Sequence, residues 1–291
     1  MKRIAILGCE NSHADRFLKF VKEHEKFKDV EIVGIYSDEI QATEKLRNQF
    51  NVPVFSSYDE AVGKVDGIVI TARHGDNHYK YAKPYIASGI PMFIDKPITI
   101  SESEAIEFMQ ECQKNGVRLA GGSSCKHAPF VQELKAEHLA EKDGKTLSGF
   151  VRCPLTLDSP YGGFYFYAQH LVEIVCEIYG KSPRSVNTYR NGEKILVVFR
   201  YENYDVTGLY VDGIYTCYYV ARVAENHVNA LEFAMGDDAP YIREFEEFYG
   251  LLCGAKQLVS YKEFIAPVFI MNAIWNSLQN GVEVEIKDYG I

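Results

Sequence analysis

Lys96 stands in the run Phe93-Ile94-Asp95-Lys96-Pro97, a primary ammonium closing a short apolar strand and followed by proline. In an open parallel sheet, ligands lie beyond the carboxyl ends of the strands. A lysine there is placed to hydrogen-bond an oxygen that gains negative charge; the other reading is a stem lying along apolar surface with its head in water. Arg73, Asp76 and His78 follow the preceding strand on the same side of the sheet. The Arg73 fork suits a phosphate or a carboxylate, or else closes a loop ion pair with Asp76.

The first strand ends in Gly8-Cys9-Glu10-Asn11-Ser12-His13. A dinucleotide-binding turn usually reads G-x-G-x-x-G, so that the backbone can approach a pyrophosphate at a helix N-terminus. Only Gly8 keeps that pattern, and Glu10 takes the second glycine's place. A carboxylate facing the anion at about 5 Å and an effective dielectric near 20 would oppose binding by roughly 3 kcal/mol. Asn11, Ser12, His13 and the first helix amides are the candidate phosphate contacts, or Asn11 or Ser12 simply caps the helix. After the second strand come Ser37 and Asp38. A carboxylate there suits a ribose diol, and no arginine stands beside it for a 2′-phosphate, so NAD is expected ahead of NADP. Asp38 serves equally well as a cap for the next helix.

The elements that carry these residues alternate regularly over 1–122. Apolar runs at 4–7, 30–36, 52–55, 67–71, 91–94 and 117–120 read as strands. Between them, Ala14, Phe17, Leu18 and Val21 mark one amphipathic helix stripe. Further helices are expected over 42–50, from Ser57 with Glu60 at capping-box spacing, over 77–88, and from Ser101 with Glu104 to Gly116. Nearly continuous apolar strands separated by helices make an α/β, doubly wound, Rossmann-type parallel sheet. Residues 123–291 read differently. Strands are expected over 149–157, 184–189, 194–201, 206–211, 215–223 and 229–235, with helices near 129–140, after Gln169, and over 241–253 and 261–280. That is an α+β domain with an open, mainly antiparallel sheet. In the helix after Gln169, His170 and Glu173 are spaced i and i+3, with Glu177 a turn further. This polar stripe faces either a ligand or bulk water, while Leu171, Ile174, Val175 and Ile178 form a separate core stripe.

The 291-residue chain is 47% hydrophobic and 13% aromatic, enough for a proper core. A net charge of −9 argues against nucleic acid or an anionic membrane surface as partner. Seven cysteines without a C-x-x-C pair, and no apolar run near the roughly 18 residues that span a bilayer, indicate reduced thiols in a cytoplasmic protein.

The run from Thr71 to Pro97, with "DNHYKYA", "ASGIPMFIDKP" and then "ISESEAIEF", resembles the Gfo/Idh/MocA family, the relatives of glucose–fructose oxidoreductase and inositol dehydrogenase. "KHAPFVQELK" is similar to a later family segment, with Lys126 where arginine is common. "YGGFYFYAQH" echoes the glycine-rich segment that leads to a histidine, and the closing "APVFIMNAIWNSLQNGVEVEI" resembles the terminal helix and strand. The resemblance implies NAD or NADP on the first domain, contacted around Gly8, Ser37, Asp38, Thr71, Arg73, His78, Asp95, Lys96 and Pro97. It also implies hydride transfer to or from a sugar, cyclitol or other polyol. Lys96 becomes the lysine beside the reacting hydroxyl and His170 the acid/base, with an ordinary imidazole pKa near 6.5. Lys126, Tyr165 and Tyr167 become substrate contacts. The aspartate usual four residues before the histidine is Phe166, so Glu173 is expected to orient the imidazole. The resemblance further implies homodimers or homotetramers. Two rivals remain: a binding or regulatory homologue without hydride transfer, and a metal-assisted enzyme on His170 and Glu173, for which no third ligand spacing is evident.

Overall fold

The computed structural model describes every residue except Thr216, which falls inside the strand expected over 215–223. Five strands form the first sheet: β1 (Lys2–Leu7), β2 (Val30–Tyr36), β3 (Gly67–Ile70), β4 (Met92–Asp95) and β5 (Leu119–Gly122). All pairings are parallel, in the order β2-β1-β3-β4-β5. β3, β4 and β5 are buried along their whole length, as strands covered on both faces must be. The chain order reverses direction across the sheet between β1 and β3, the place where doubly wound folds hold ligands.

The helices α1 (Ser12–Glu23), α2 (Ile40–Phe50), α3 (Asp76–Ile86) and α4 (Glu102–Asn115) connect these strands. α1 buries the predicted Ala14, Phe17 and Leu18. α4 starts at Ser101, whose side chain accepts from the Glu104 amide, and stops at Gly116 in the left-handed region (φ 68°). Two expectations for this half fail. The strand over 52–55 shrinks to one bridge between Ile35 and Val54, because Pro53 brings no amide to a ladder. No helix follows Ser57; residues 57–64 form turns, and Glu60 bonds back to the amide and hydroxyl of Ser56.

The chain divides into two compact units, residues 1–122 with 241–262 and 291, and residues 123–240 with 263–290. A single cut after 122 therefore holds only as far as Pro240. Most of α7 (Ala239–Leu252) belongs with the first unit, where Phe245, Phe248 and Leu251 join a core that includes Phe17, Phe27 and Phe93.

The second unit is built on α5 (Pro129–Leu139), β6 (Thr146–Leu155), α6 (Tyr165–Tyr179), β7 (Ser185–Asn191), β8 (Lys194–Arg200), β9 (Asp205–Asp212), β10 (Tyr218–Ala224), β11 (Val228–Phe233), most of α8 (Tyr261–Asn280) and β12 (Val284–Glu285). Its sheet runs β11-β10-β6-β9-β8-β7-β12. Every pairing is antiparallel except β6 with β9, which makes the sheet mixed at its centre. The predicted stripe Leu171, Ile174, Val175 and Ile178 is buried in a core shared with Val197, Phe199, Val206 and Tyr210. No helix among the described residues is long and apolar enough to cross a membrane.

Candidate active site

In the first unit the candidate residues gather at the carboxyl ends of the parallel strands. Gly8 has φ +86°, and a Cβ on it would sit 2.2 Å from the Ala72 nitrogen, so β1 and β3 close on each other only through glycine. The buried Thr71 hydroxyl donates to the Gly8 carbonyl at 2.7 Å and fixes that approach.

Glu10 does not hang free in the turn. Its carboxylate accepts from the Ser37 hydroxyl at 2.5 Å and from the Arg73 amide at 3.0 Å, and so bridges the ends of β2 and β3. Asp38 accepts from the hydroxyls of Tyr36 at 2.5 Å and Tyr81 at 2.8 Å, with the Lys80 ammonium at 3.5 Å. The Tyr36 hydroxyl, with Tyr81 and Lys80, holds the Asp38 carboxyl below its usual range against the opposing effect of burial. Burial and Asp38 together push the Tyr36 phenol up to about 12.

Asn11 caps α1, its side chain accepting from the His13 amide at 3.3 Å, while its amide group donates to Asp95 at 2.8 Å. Ser12 is exposed, its hydroxyl 3.4 Å from the Asn11 side-chain oxygen. His13 is buried, its Nδ1 bonded to Asp95. Asp95 is wholly buried and also accepts from the Lys96 amide at 2.6 Å. Burial opposes its ionisation, but His13, Lys96 and His78 outweigh burial and keep the carboxyl low. Lys96 is 5% exposed, and its bond to Pro97 is cis. His78 is buried with Nδ1 3.2 Å from the Ile98 carbonyl and Nε2 2.8 Å from that of Ala72. It braces the loops after β3 and β4 from inside, and burial depresses its pKa. In the loop after β3, Asp76 lies 3.7 Å from His74 Nδ1.

In the second unit both His170 and Glu173 are buried on α6, at 7% and 6% exposure, so this stripe is not a solvated helix face. His170 Nδ1 lies 2.7 Å from the Ser123 hydroxyl and 3.4 Å from the Cys125 sulfur. Ser123, rather than Glu173, holds Nδ1. Glu173 instead accepts from the Gln169 amide at 2.8 Å and faces the Lys126 ammonium at 3.8 Å. The Tyr167 ring stands edge-on to the imidazole at 5.1 Å and meets Tyr215 at 5.3 Å. Tyr165 turns to α8, its hydroxyl donating to Asn272 at 2.9 Å. Sequence reading missed Ser123; its one signal was a hydroxyl directly after the Gly121-Gly122 pair. Among the described residues no cluster of three or more His, Cys, Asp or Glu side chains is placed to hold a metal ion.

An NAD fits the first-unit residues. The turn keeps its essential glycine, Glu10 is engaged by two protein donors, and a carboxylate stands at the end of β2.

Residues 2–123 match the oxidoreductase family with the NAD-binding Rossmann fold. Glucose-6-phosphate 3-dehydrogenase of Bacillus subtilis (strain 168) is 24% identical over 151 residues, 51% of this chain and 41% of the relative, so the chain's match spans about two-fifths of that protein. Two solved structures share the fold over nearly the whole chain. GenD2 from gentamicin A biosynthesis, in complex with NAD, superposes with a TM-score of 0.87 at 15% identity, covering 99% of this chain and 97% of that one. The myo-inositol 2-dehydrogenase of Lactobacillus plantarum gives 0.85 at 14% identity, covering 98% and 99%. Over residues 2–123 the chain thus matches the Gfo/Idh/MocA oxidoreductase family model, that of an NAD-binding Rossmann fold.

Proposed function

We propose that the protein is an NAD-dependent oxidoreductase acting on a secondary hydroxyl of a sugar, cyclitol or related polyol. The observation that carries this reading is the buried His170–Ser123 pair on the family's fold. Bound NAD supplies the hydride acceptor. His170 takes the hydroxyl proton at Nε2 while Nδ1 is held by Ser123. For Nε2 to accept, Nδ1 must carry its hydrogen and donate it to the Ser123 oxygen, a bond that persists after the proton moves. Lys96 stabilises the charge that develops on the substrate oxygen. Tyr167 fixes the face of the imidazole, and Lys126 with Glu173 supplies polar contacts to further hydroxyls. The likeness to sugar and cyclitol dehydrogenases supports the substrate class.

A second reading, a binding or regulatory protein of the same fold, is favoured by one observation. The Glu10 carboxylate already occupies the Ser37 hydroxyl and the Arg73 amide. Titration with NADH, followed by fluorescence, separates the two. Saturable binding supports the dehydrogenase. No saturation at millimolar cofactor supports the regulatory protein.

A further inference from the structure

Asp95 receives three hydrogen bonds on one buried carboxylate, and they come from two functional loops. Asn11 and His13, in and just after the cofactor turn, bond to Oδ2. The amide of Lys96 bonds to Oδ1. His13 is in turn enclosed: Nε2 lies 3.7 Å from the buried Glu244 on α7, the ring tilts against Tyr241 at 5.1 Å, and Phe17 stacks on it at 5.7 Å. An apolar residue could fill that space with less desolvation, so a buried imidazole between two carboxylates needs a reason beyond packing.

We propose that His13 is a positioning residue, seated by Glu244, that locks Asp95 so that the cofactor turn and the Lys96 backbone move as one piece. Ordering the turn then also orders the reactive lysine. This rests on the reading of Lys96 as the lysine beside the reacting hydroxyl, although the coupling itself needs no ligand.

The Lys96 amide reports the state of Asp95, because it donates to that carboxylate. The groups bearing on Asp95 are His13, Asn11, Lys96 and His78; those facing His13 are Asp95, Glu244 and Tyr241. Nuclear magnetic resonance of the 15N-labelled protein follows the Lys96 amide and the Asn11 side-chain amide against pH, without ligand. Removing the His13 donor raises the carboxyl's pKa. In His13→Leu the inflection of both signals moves to higher pH. In His13→Asn, whose amide can replace Nδ1, it returns toward wild type. Asp95→Asn abolishes the inflection, and this isosteric variant serves if His13→Leu does not fold. NADH affinity falls about tenfold in His13→Leu and much less in His13→Asn, the loss of one charge-assisted hydrogen bond. An unchanged inflection in His13→Leu, or one that survives Asp95→Asn, overturns the coupling. A shifted inflection in a protein that does not bind NADH upholds the coupling and removes the dehydrogenase reading instead.

Discussion

The Ser123 hydroxyl lies 2.7 Å from Nδ1 of His170, and the same oxygen accepts from the Cys125 amide at 3.2 Å. The serine is thus held by the backbone and in turn fixes the imidazole. In the usual family pattern an aspartate stands four residues before this histidine, a position filled here by Phe166. Here Nδ1 of the imidazole meets a neutral hydroxyl. Ser123→Ala should lower kcat about tenfold while leaving NADH affinity unchanged, because only the proton-transfer group loses its orientation. Ser123→Thr, which keeps the hydroxyl, should recover most of that loss. Steady-state kinetics on the best substrate checks both, and equal kcat in Ser123→Ala and wild type would remove Ser123 from the reaction.

Glu10 should weaken cofactor binding through its charge. Glu10→Gln keeps an oxygen for the Arg73 amide and can donate its NH2 group to the Ser37 oxygen, but removes the anion. NADH affinity should tighten about tenfold, a change of ~1.4 kcal/mol. Fluorescence titration of both proteins at low and high salt reads it. Weaker binding in the variant would mean that Glu10 contacts the cofactor favourably.

His78 should make stability depend on pH. Its folded pKa is depressed by burial, so its stabilising effect is complete above the unfolded value near 6.5 and declines as pH falls below it. Between about pH 7.5 and about pH 5.5 this one group should lower stability by at most roughly 1.4 kcal/mol, the protonation free energy of the unfolded imidazole over that range. His78→Gln, which can still donate to the Ala72 carbonyl, should be less stable at neutral pH but lose less on acidification. Urea unfolding at both pH values measures the slopes, and identical slopes would contradict the assignment.

The parallel sheet was legible because buried strands are continuously apolar and each is followed by helix signals, as Ser101 with Glu104 and Gly116 show for α4. The failures share a cause: local signals were read without their tertiary partners. Ser57 and Glu60 have capping-box spacing, yet Glu60 bonds to Ser56 and the segment turns. Val52–Phe55 is apolar enough for a strand, but Pro53 limits it to one bridge. The site residues on strand ends were placed by position in the sheet, whereas their contacts were not. No sequence spacing shows that Glu244 returns to His13, or that Ser123 and not Glu173 meets Nδ1, since both pairs join residues far apart in the chain. Lys96 is marked by its place at a strand end, whereas its role and that of His170 came through family resemblance.

The most direct measurement is NAD reduction across a panel of sugars, cyclitols and sugar derivatives by wild type, Lys96→Met and His170→Asn. Wild type should turn over at least one polyol, and each variant should lose about a hundredfold or more in kcat with its fold intact by circular dichroism. Equal turnover by wild type and Lys96→Met would contradict the central assignment.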